Sequence, residues 1–574
     1  MKTTPRNPKS GVLETSALLE RTTSEQAIED DDEEDNLRVL RESRLHHSTL
    51  AWHSRPTVVV LCLALFVFFL SESTGLPSFI VLFFQSICRY AFSMEPELQT
   101  CSEGRVQSVI SNVQLQLNFI CGALSCVVSG KLGEISDRVG RRHMFIYVGF
   151  LNMLTRFMDI YLVSPNVSFN KLAFVVRYIT FGLSGGTIVM VSLASSYITD
   201  IVESRLRTRA LGFLMGSLYS AMALGPLLGS FIVSETGNPM TALYFCASLS
   251  VLFLVLMFFV LVESRPQLLR TRSQSMHLVR KASFSSQVSG RSGVITHSAK
   301  AMIDVFAPLK LLWLPRHRVL GFKPRFNVMV LVVMECFLFV AAMSIGSVIV
   351  IFSTATFNLN SQQLGYFISL VGMGKTFVMY IVCPLILHLL KLKFKSHTHA
   401  PDMIDFMMLL IGTTGELLTP ILVWKSKSVY WIYAAGLCGA LGALVTPTVQ
   451  STIIKYFPES KSGEVFGAIS VLKNILGMIG PVMALFIYGQ TVSIYPKLIF
   501  VILGAFIAFA AISSFFLKMH DELELSQFIK PRTDSVVTSD NESETIPVPA
   551  SPMRAYDVIR RGSAGPSPRD PVSF

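Results

Sequence analysis

Twelve runs of about 20 or more mostly apolar residues, six before a long polar stretch and six after it, constrain this chain more than any other feature. A helix needs about 20 such residues to cross the hydrocarbon core of a bilayer, and every backbone polar group in that core must be satisfied within the segment or by a neighbour. The runs cover 57–84, 106–131, 144–163, 171–199, 210–233 and 240–262, then 327–353, 363–390, 403–424, 429–454, 464–489 and 496–517. The fold expected is therefore an all-α membrane protein with twelve transmembrane helices in two six-helix halves. Composition points the same way: 51% of the 574 residues are hydrophobic and 15% are charged, whereas soluble domains carry about 25% charged residues. The second run is the weakest, because Gln107, Ser111, Asn112, Gln114, Gln116 and Asn118 suit a wet cavity better than lipid.

The connections orient the runs. Arg138, Arg141 and Arg142 follow the second run, Arg205, Arg207 and Arg209 the fourth, Lys391, Lys393 and Lys395 the eighth, and Lys455 and Lys461 the tenth. Twelve Lys and Arg lie between 263 and 325, against Glu263 and Asp304 alone. The positive-inside bias then puts both termini and the central loop in the cytoplasm. The domains expected are a disordered cytoplasmic tail (1–50), a six-helix half (57–262), a basic cytoplasmic loop (263–325), a second six-helix half (326–517) and a second disordered cytoplasmic tail (518–574). The net charge of +11 is accounted for by these flanks, so no nucleic-acid partner is expected. Nine Cys without a C-x-x-C pair indicate no metal site, and no cofactor is implied. Cys88 and Cys101 bracket the longest expected outside loop and admit either one bridge or two free thiols.

The halves repeat. Ala210, Gly212, Gly225 and Pro226 in the fifth run find counterparts 255 positions later in Val465, Gly467, Gly480 and Pro481. Parallel repeats of this kind build one large class of secondary transporters. After the second run stands Gly133-Glu-Ile-Ser-Asp137-Arg138-Val-Gly140-Arg141-Arg142. This G-x-x-x-D-R-x-G-R-R loop resembles the hallmark motif of the major facilitator superfamily. Gly133 permits close helix approach, Gly140 a tight turn, and Asp137 with Arg138, Arg141 and Arg142 a charge network closing the two halves at the cytoplasmic face; the alternative is a basic loop that only sets topology. Ala221-Met-Ala-Leu-Gly225-Pro226-Leu-Leu-Gly229-Ser230 is similar to the superfamily's antiporter motif, with Ala221 and Ser230 in place of its outer glycines. The resemblance implies proton-driven export, against plain small-residue packing. Arg177 before Phe181 and Gly182 resembles the R-x-x-q-G motif, in which the Arg is implicated in proton transfer, with its Gly one residue late.

Charges within apolar runs cost a few kcal/mol each unless paired or hydrated, and they mark candidate sites. Eight lie well inside: Glu72, Arg156, Asp159, Arg177, Glu335, Lys375, Glu416 and Lys473. Four acids and four bases cancel, which points to mutual neutralisation rather than a pore for one sign of ion. Arg156 and Asp159, at i and i+3, share a helix face. Burial favours the neutral form of a carboxylate, so an acid suits proton coupling best. Glu72, in the irregular stretch Ser71 to Pro77, is the first candidate; Glu416 and Asp159 follow, while Lys375 and Lys473 either neutralise these acids or meet an anionic substrate. For each charge an ion pair that only fixes packing is the competing role.

Gly374-Lys375-Thr376 imitates the end of a phosphate-binding loop, but Ser369 stands where its first Gly belongs and the stretch lies inside a run. Nothing points to an enzyme, and transport would be driven by an ion gradient or be passive. Glu14, Leu18 and Leu19 form an acidic dileucine pattern, which resembles adaptor-read signals for vacuolar or lysosomal membranes, favoured here slightly over the plasma membrane. The reading is a monomeric secondary transporter that moves a small organic solute by alternating access, with proton-coupled antiport ahead. The alternatives are symport or uniport of a sugar or organic anion, and a transporter-like sensor that moves nothing.

Overall fold

The computed structural model describes residues 35–47, 49–51, 54–92, 104–287, 307–314, 323–357, 361–394, 401–491 and 494–517. Glu14, Leu18, Leu19, Cys101 and the tail 518–574 lie outside them. Among the described residues the secondary structure is helical throughout. Eleven helical stretches are long and apolar enough to cross a membrane: Val58–Ile87, Gln116–Val139, Arg141–Leu162, Lys171–Ile201, Ser204–Thr236, Pro239–Phe259, Lys323–Ser353, Tyr366–Lys393, Met403–Lys425, Val429–Ile454 and Glu459–Thr491. The twelfth span is the shorter apolar helix Leu498–Ser514, about 25 Å long at 1.5 Å per residue. The polar second run is helical from Gly104, and its stretch Gln116–Val139 is long and apolar enough to span.

Four spans are broken, and the breaks place polar groups. The first interrupts at Gly75, between helices Val58–Thr74 and Leu76–Phe92, where the Ser, Thr, Gly and Pro content foretold irregularity. The fourth is split by Gly185 and Gly186, at φ +70° and +62°, a left-handed conformation that glycine adopts without steric cost. A π-helical turn, Val378–Val382, interrupts the eighth span, and the 3-10 turn Ala440–Leu444 the tenth.

Each half packs its own apolar core. Phe68, Phe145, Leu193, Leu211 and Phe253 centre the first, and Leu331, Phe352, Leu409, Phe466 and Phe500 the second. A further cluster crosses between them, joining Met215 of span 5 to Met379 and Cys383 of span 8 and Met408 of span 9. The halves meet along spans 2 and 11 and along spans 5 and 8. Span 11 approaches span 2 closely because both are glycine there: a Cβ on Gly133 would lie 2.9 Å from the Cα of Gly467. Ser195 donates to the Gln450 side-chain oxygen at 3.1 Å. These residues are 255 positions apart, the repeat distance itself, so the axis relating the halves passes between them.

The flanks are more ordered than expected. Residues 35–47 form a helix with Leu40 only 1% exposed, which corrects the reading of 1–50 as wholly disordered. Within the basic central segment, Gln267–Gln287 is helical. Its Arg272 donates to Asn36 at 3.0 Å and pairs with Asp35 at 3.3 Å, so the two extra helices hold each other across one end of the bundle. That end carries the basic loops and is called the basic face below.

Candidate functional site

Asp137, at the basic end of span 2, gathers groups from both halves. Its Oδ1 lies 2.7 Å from Arg141 Nη2 and accepts from Arg265 Nη1 at 2.8 Å, while Oδ2 accepts the Glu464 amide of span 11 at 3.1 Å. Arg141 is fully buried and donates through Nε to Asp200 at 3.0 Å and through Nη2 to Ser462 at 3.0 Å. Gly140 turns the chain at φ +112°, which directs the Arg141 and Arg142 amides to Glu263 at 2.9 and 3.1 Å. Arg265 also donates to the Ser460 carbonyl at 2.8 Å. Buried charges persist when paired and hydrogen-bonded, and removing one partner of such a pair typically costs about 3–5 kcal/mol.

Not every arginine of the motif crosses the joint through the contacts described. Arg138 pairs with Glu134 one turn earlier, and Arg142 donates to the Met257 and Phe258 carbonyls of span 6. Among the motif's charged groups, Asp137 and Arg141 make described contacts that bridge the halves. The bridge that sequence reasoning missed is Glu459, which pairs with Arg207 at 2.5 Å and with Arg44 of the leading helix at 2.6 Å. A lone acid just before a span gives no periodic signal, so no pattern could single it out.

In the first half, four of the eight span charges form one network. Arg177 grips Asp159 with both Nε and Nη2, at 2.6 and 3.0 Å. Arg156 lies 3.3 Å from Asp159 and 2.6 Å from Glu72, and Asn152 donates to the same Glu72 oxygen. Arg177 also stacks over Tyr178 and Phe79, at 4.6 and 4.8 Å. Asp159 is 1% exposed at its side chain and Glu72 18%, so Glu72 is the most exposed member of the network.

Gly225 and Gly229 bring span 5 onto span 1 beside Glu72. A Cβ on Gly225 would lie 2.7 Å from that of Ser73, and one on Gly229 would overlap the Thr74 carbonyl oxygen. Ser73 donates to the Ala221 carbonyl at 2.8 Å, closing the contact, and Pro226 sits within the helix one residue past it. In the second half, Glu335 pairs with Lys473 at 2.5 Å. Lys375 lies 5.2 Å from the Tyr219 ring of the first half, and no carboxylate among the described residues is within 4 Å of its ammonium. The Glu416 carboxylate lies against Gly442 of span 10. The candidate charges thus divide into a four-membered network, one pair, and two charges without a described ion pair. Among the described residues no group of His, Cys, Asp and Glu could hold a metal ion.

A sequence profile described as the Major Facilitator Superfamily matches residues 61–395 and 406–563. The chain belongs to that superfamily. An uncharacterized membrane protein of Saccharomyces cerevisiae is 30% identical over 427 residues, 72% of this chain and 77% of its own. The class H tetracycline resistance protein of Pasteurella multocida is 22% identical over 387 residues, covering 67% of this chain and 82% of its own. The solved structure of the human organic anion transporter MFSD10 (TETRAN) superposes with a TM-score of 0.58 at 17% identity, over 80% of this chain and 98% of that one. This superfamily member is accordingly a multi-pass membrane transporter with the superfamily's fold.

Proposed function

We propose that the protein is a proton-coupled antiporter of a small amphiphilic organic solute, working by alternating access between its halves, with Glu72 as the proton acceptor. One observation carries this: Glu72 is the most exposed end of an otherwise buried, electrically neutral network, and it adjoins the Gly225–Gly229 contact of spans 1 and 5. A proton on Glu72 cancels the charge that holds Arg156. The freed guanidinium then turns wholly to Asp159, and span 1 loses a tie to span 3 beside its own break at Gly75. Asp137, Arg141 and their partners close the cytoplasmic side in this conformation. The termini are assigned to the cytoplasm on the basic loops, and a vacuolar address rests on Glu14, Leu18 and Leu19.

Proteoliposomes test the reading. Substrate-dependent proton release from loaded vesicles, lost in Glu72→Gln with the fold retained, is the expected result; proton-independent flux in the same vesicles would refute the coupling. A second reading, uptake of an organic anion, is favoured by Lys375, whose ammonium faces the joint of the halves over Tyr219. Accumulation driven by an inward proton gradient and abolished by Lys375→Gln would decide for it.

A further inference from the structure

Two ion pairs converge on Glu459 of the second half, one from Arg207 of the first half and one from Arg44, which belongs to neither half's spans. Arg44 comes from the helix 35–47 that precedes span 1. Beyond Glu459 it donates through Nη2 to the Thr199 carbonyl at 2.8 Å and through Nε to the Asp200 carbonyl at 2.9 Å. Those carbonyls end the helix Gly186–Ile201 of span 4 and, like all carbonyls of a helix's last turn, have no partner within it. One guanidinium therefore holds the end of span 4 and a carboxylate of the opposite half together. Leu40 is buried one turn earlier on the same helix, and Arg272 of Gln267–Gln287 fixes its beginning through Asp35 and Asn36.

We infer that the helix 35–47 is a strap across the joint of the halves, with Arg44 as its fastening and a positioning residue of the transport cycle. The basic face opens only when Arg44 leaves Glu459 or lets go of span 4, so this helix sets how readily the closed state yields. The charge arithmetic supports a fastening rather than a decoration. Glu459 alone balances one of the two arginines, and the two span 4 carbonyls with their helix-end dipole favour the second. The strap would bias the cycle without contacting the transported solute.

The inference rests on the alternating-access reading, so its test measures opening and needs neither substrate nor protons. Ser195→Cys, at the buried contact with Gln450, is placed in full-length protein whose reactive native cysteines are replaced. Its labelling by a membrane-impermeant maleimide is followed from the basic face. Arg44→Gln and Leu40→Asp should each speed labelling roughly tenfold, Arg44→Lys should restore most of the protection, and Arg41→Gln, an exposed neighbour, should match the parent. Labelling unchanged by Arg44→Gln and Leu40→Asp while Arg207→Gln accelerates it would overturn the strap and leave the joint at Glu459 standing. If Arg207→Gln is silent as well, Glu459 does not hold the face closed and the inference fails outright. Proton-independent flux with this labelling pattern intact would count against the proposed function alone.

Discussion

Asp137 balances two arginines, one from its own motif and one from the chain leaving span 6, while its second oxygen holds an amide of the other half. Neutralising it takes from Arg265 its described carboxylate partner and leaves Arg141 with that of Asp200 alone, both in a buried setting. Asp137→Asn should therefore slow transport far more than it weakens substrate binding, a split read by comparing flux with equilibrium binding on the same preparation. Gly225 makes a different demand: its neighbours leave no room for a side chain. Gly225→Val should lower thermal stability by about 1–3 kcal/mol of overpacking, measured as an earlier melt of the purified protein, with transport lost beyond what stability explains. Asp137, Arg141 and Gly225 were legible because each sits in a local spacing. Glu459 and Arg44 were not, since their importance arises only when segments 252 and 415 positions apart meet.

Elements show the same division between local and distant information. The break at Gly75 was legible from the polar, glycine- and proline-containing stretch around it, whereas that at Gly185 was not, because glycine is ordinary in membrane helices. The ends of corresponding spans reveal a relation no run of apolar residues could display. In the first half Asp200, ending span 4, pairs with Arg141, opening span 3, at 3.0 Å. Its counterpart 255 positions on is Lys455, which ends span 10 and pairs with Asp402 and Asp405, at the opening of span 9, at 2.7 and 2.6 Å. The tie is kept and its polarity inverted.

Burial alone would lower the pKa of Lys455, but Asp405 and Asp402 outweigh it and hold the ammonium above its ordinary value. A base whose folded-state pKa is raised contributes its full stability below the unfolded value, about 10.4 for lysine, and loses it as pH rises through the folded value. Lys455→Met should therefore melt earlier than the parent at neutral pH, and the margin should shrink as pH rises above about 10.4; an unchanged melt at neutral pH would contradict the assignment.

For the whole molecule, the repeat distance measured in sequence reappears as a contact in space, Ser195 on Gln450. A site on the axis between two moving halves opens by separation alone. Bridging Ser195→Cys to Gln450→Cys with a short reducible cross-linker should stop transport and leave the fold intact, and reduction should restore it. Persistent flux in the cross-linked protein would exclude a rocking motion about this axis. The inverted ties have a bearing on assembly too. Duplicated halves invite a folding error in which span 4 seats itself where span 10 belongs, since their packing surfaces are related. Such an exchange would set Asp200 against Asp402 and Asp405, and Lys455 against Arg141, so that like charges meet in a buried place. The opposite signs thus penalise that exchange and favour each helix in its own half.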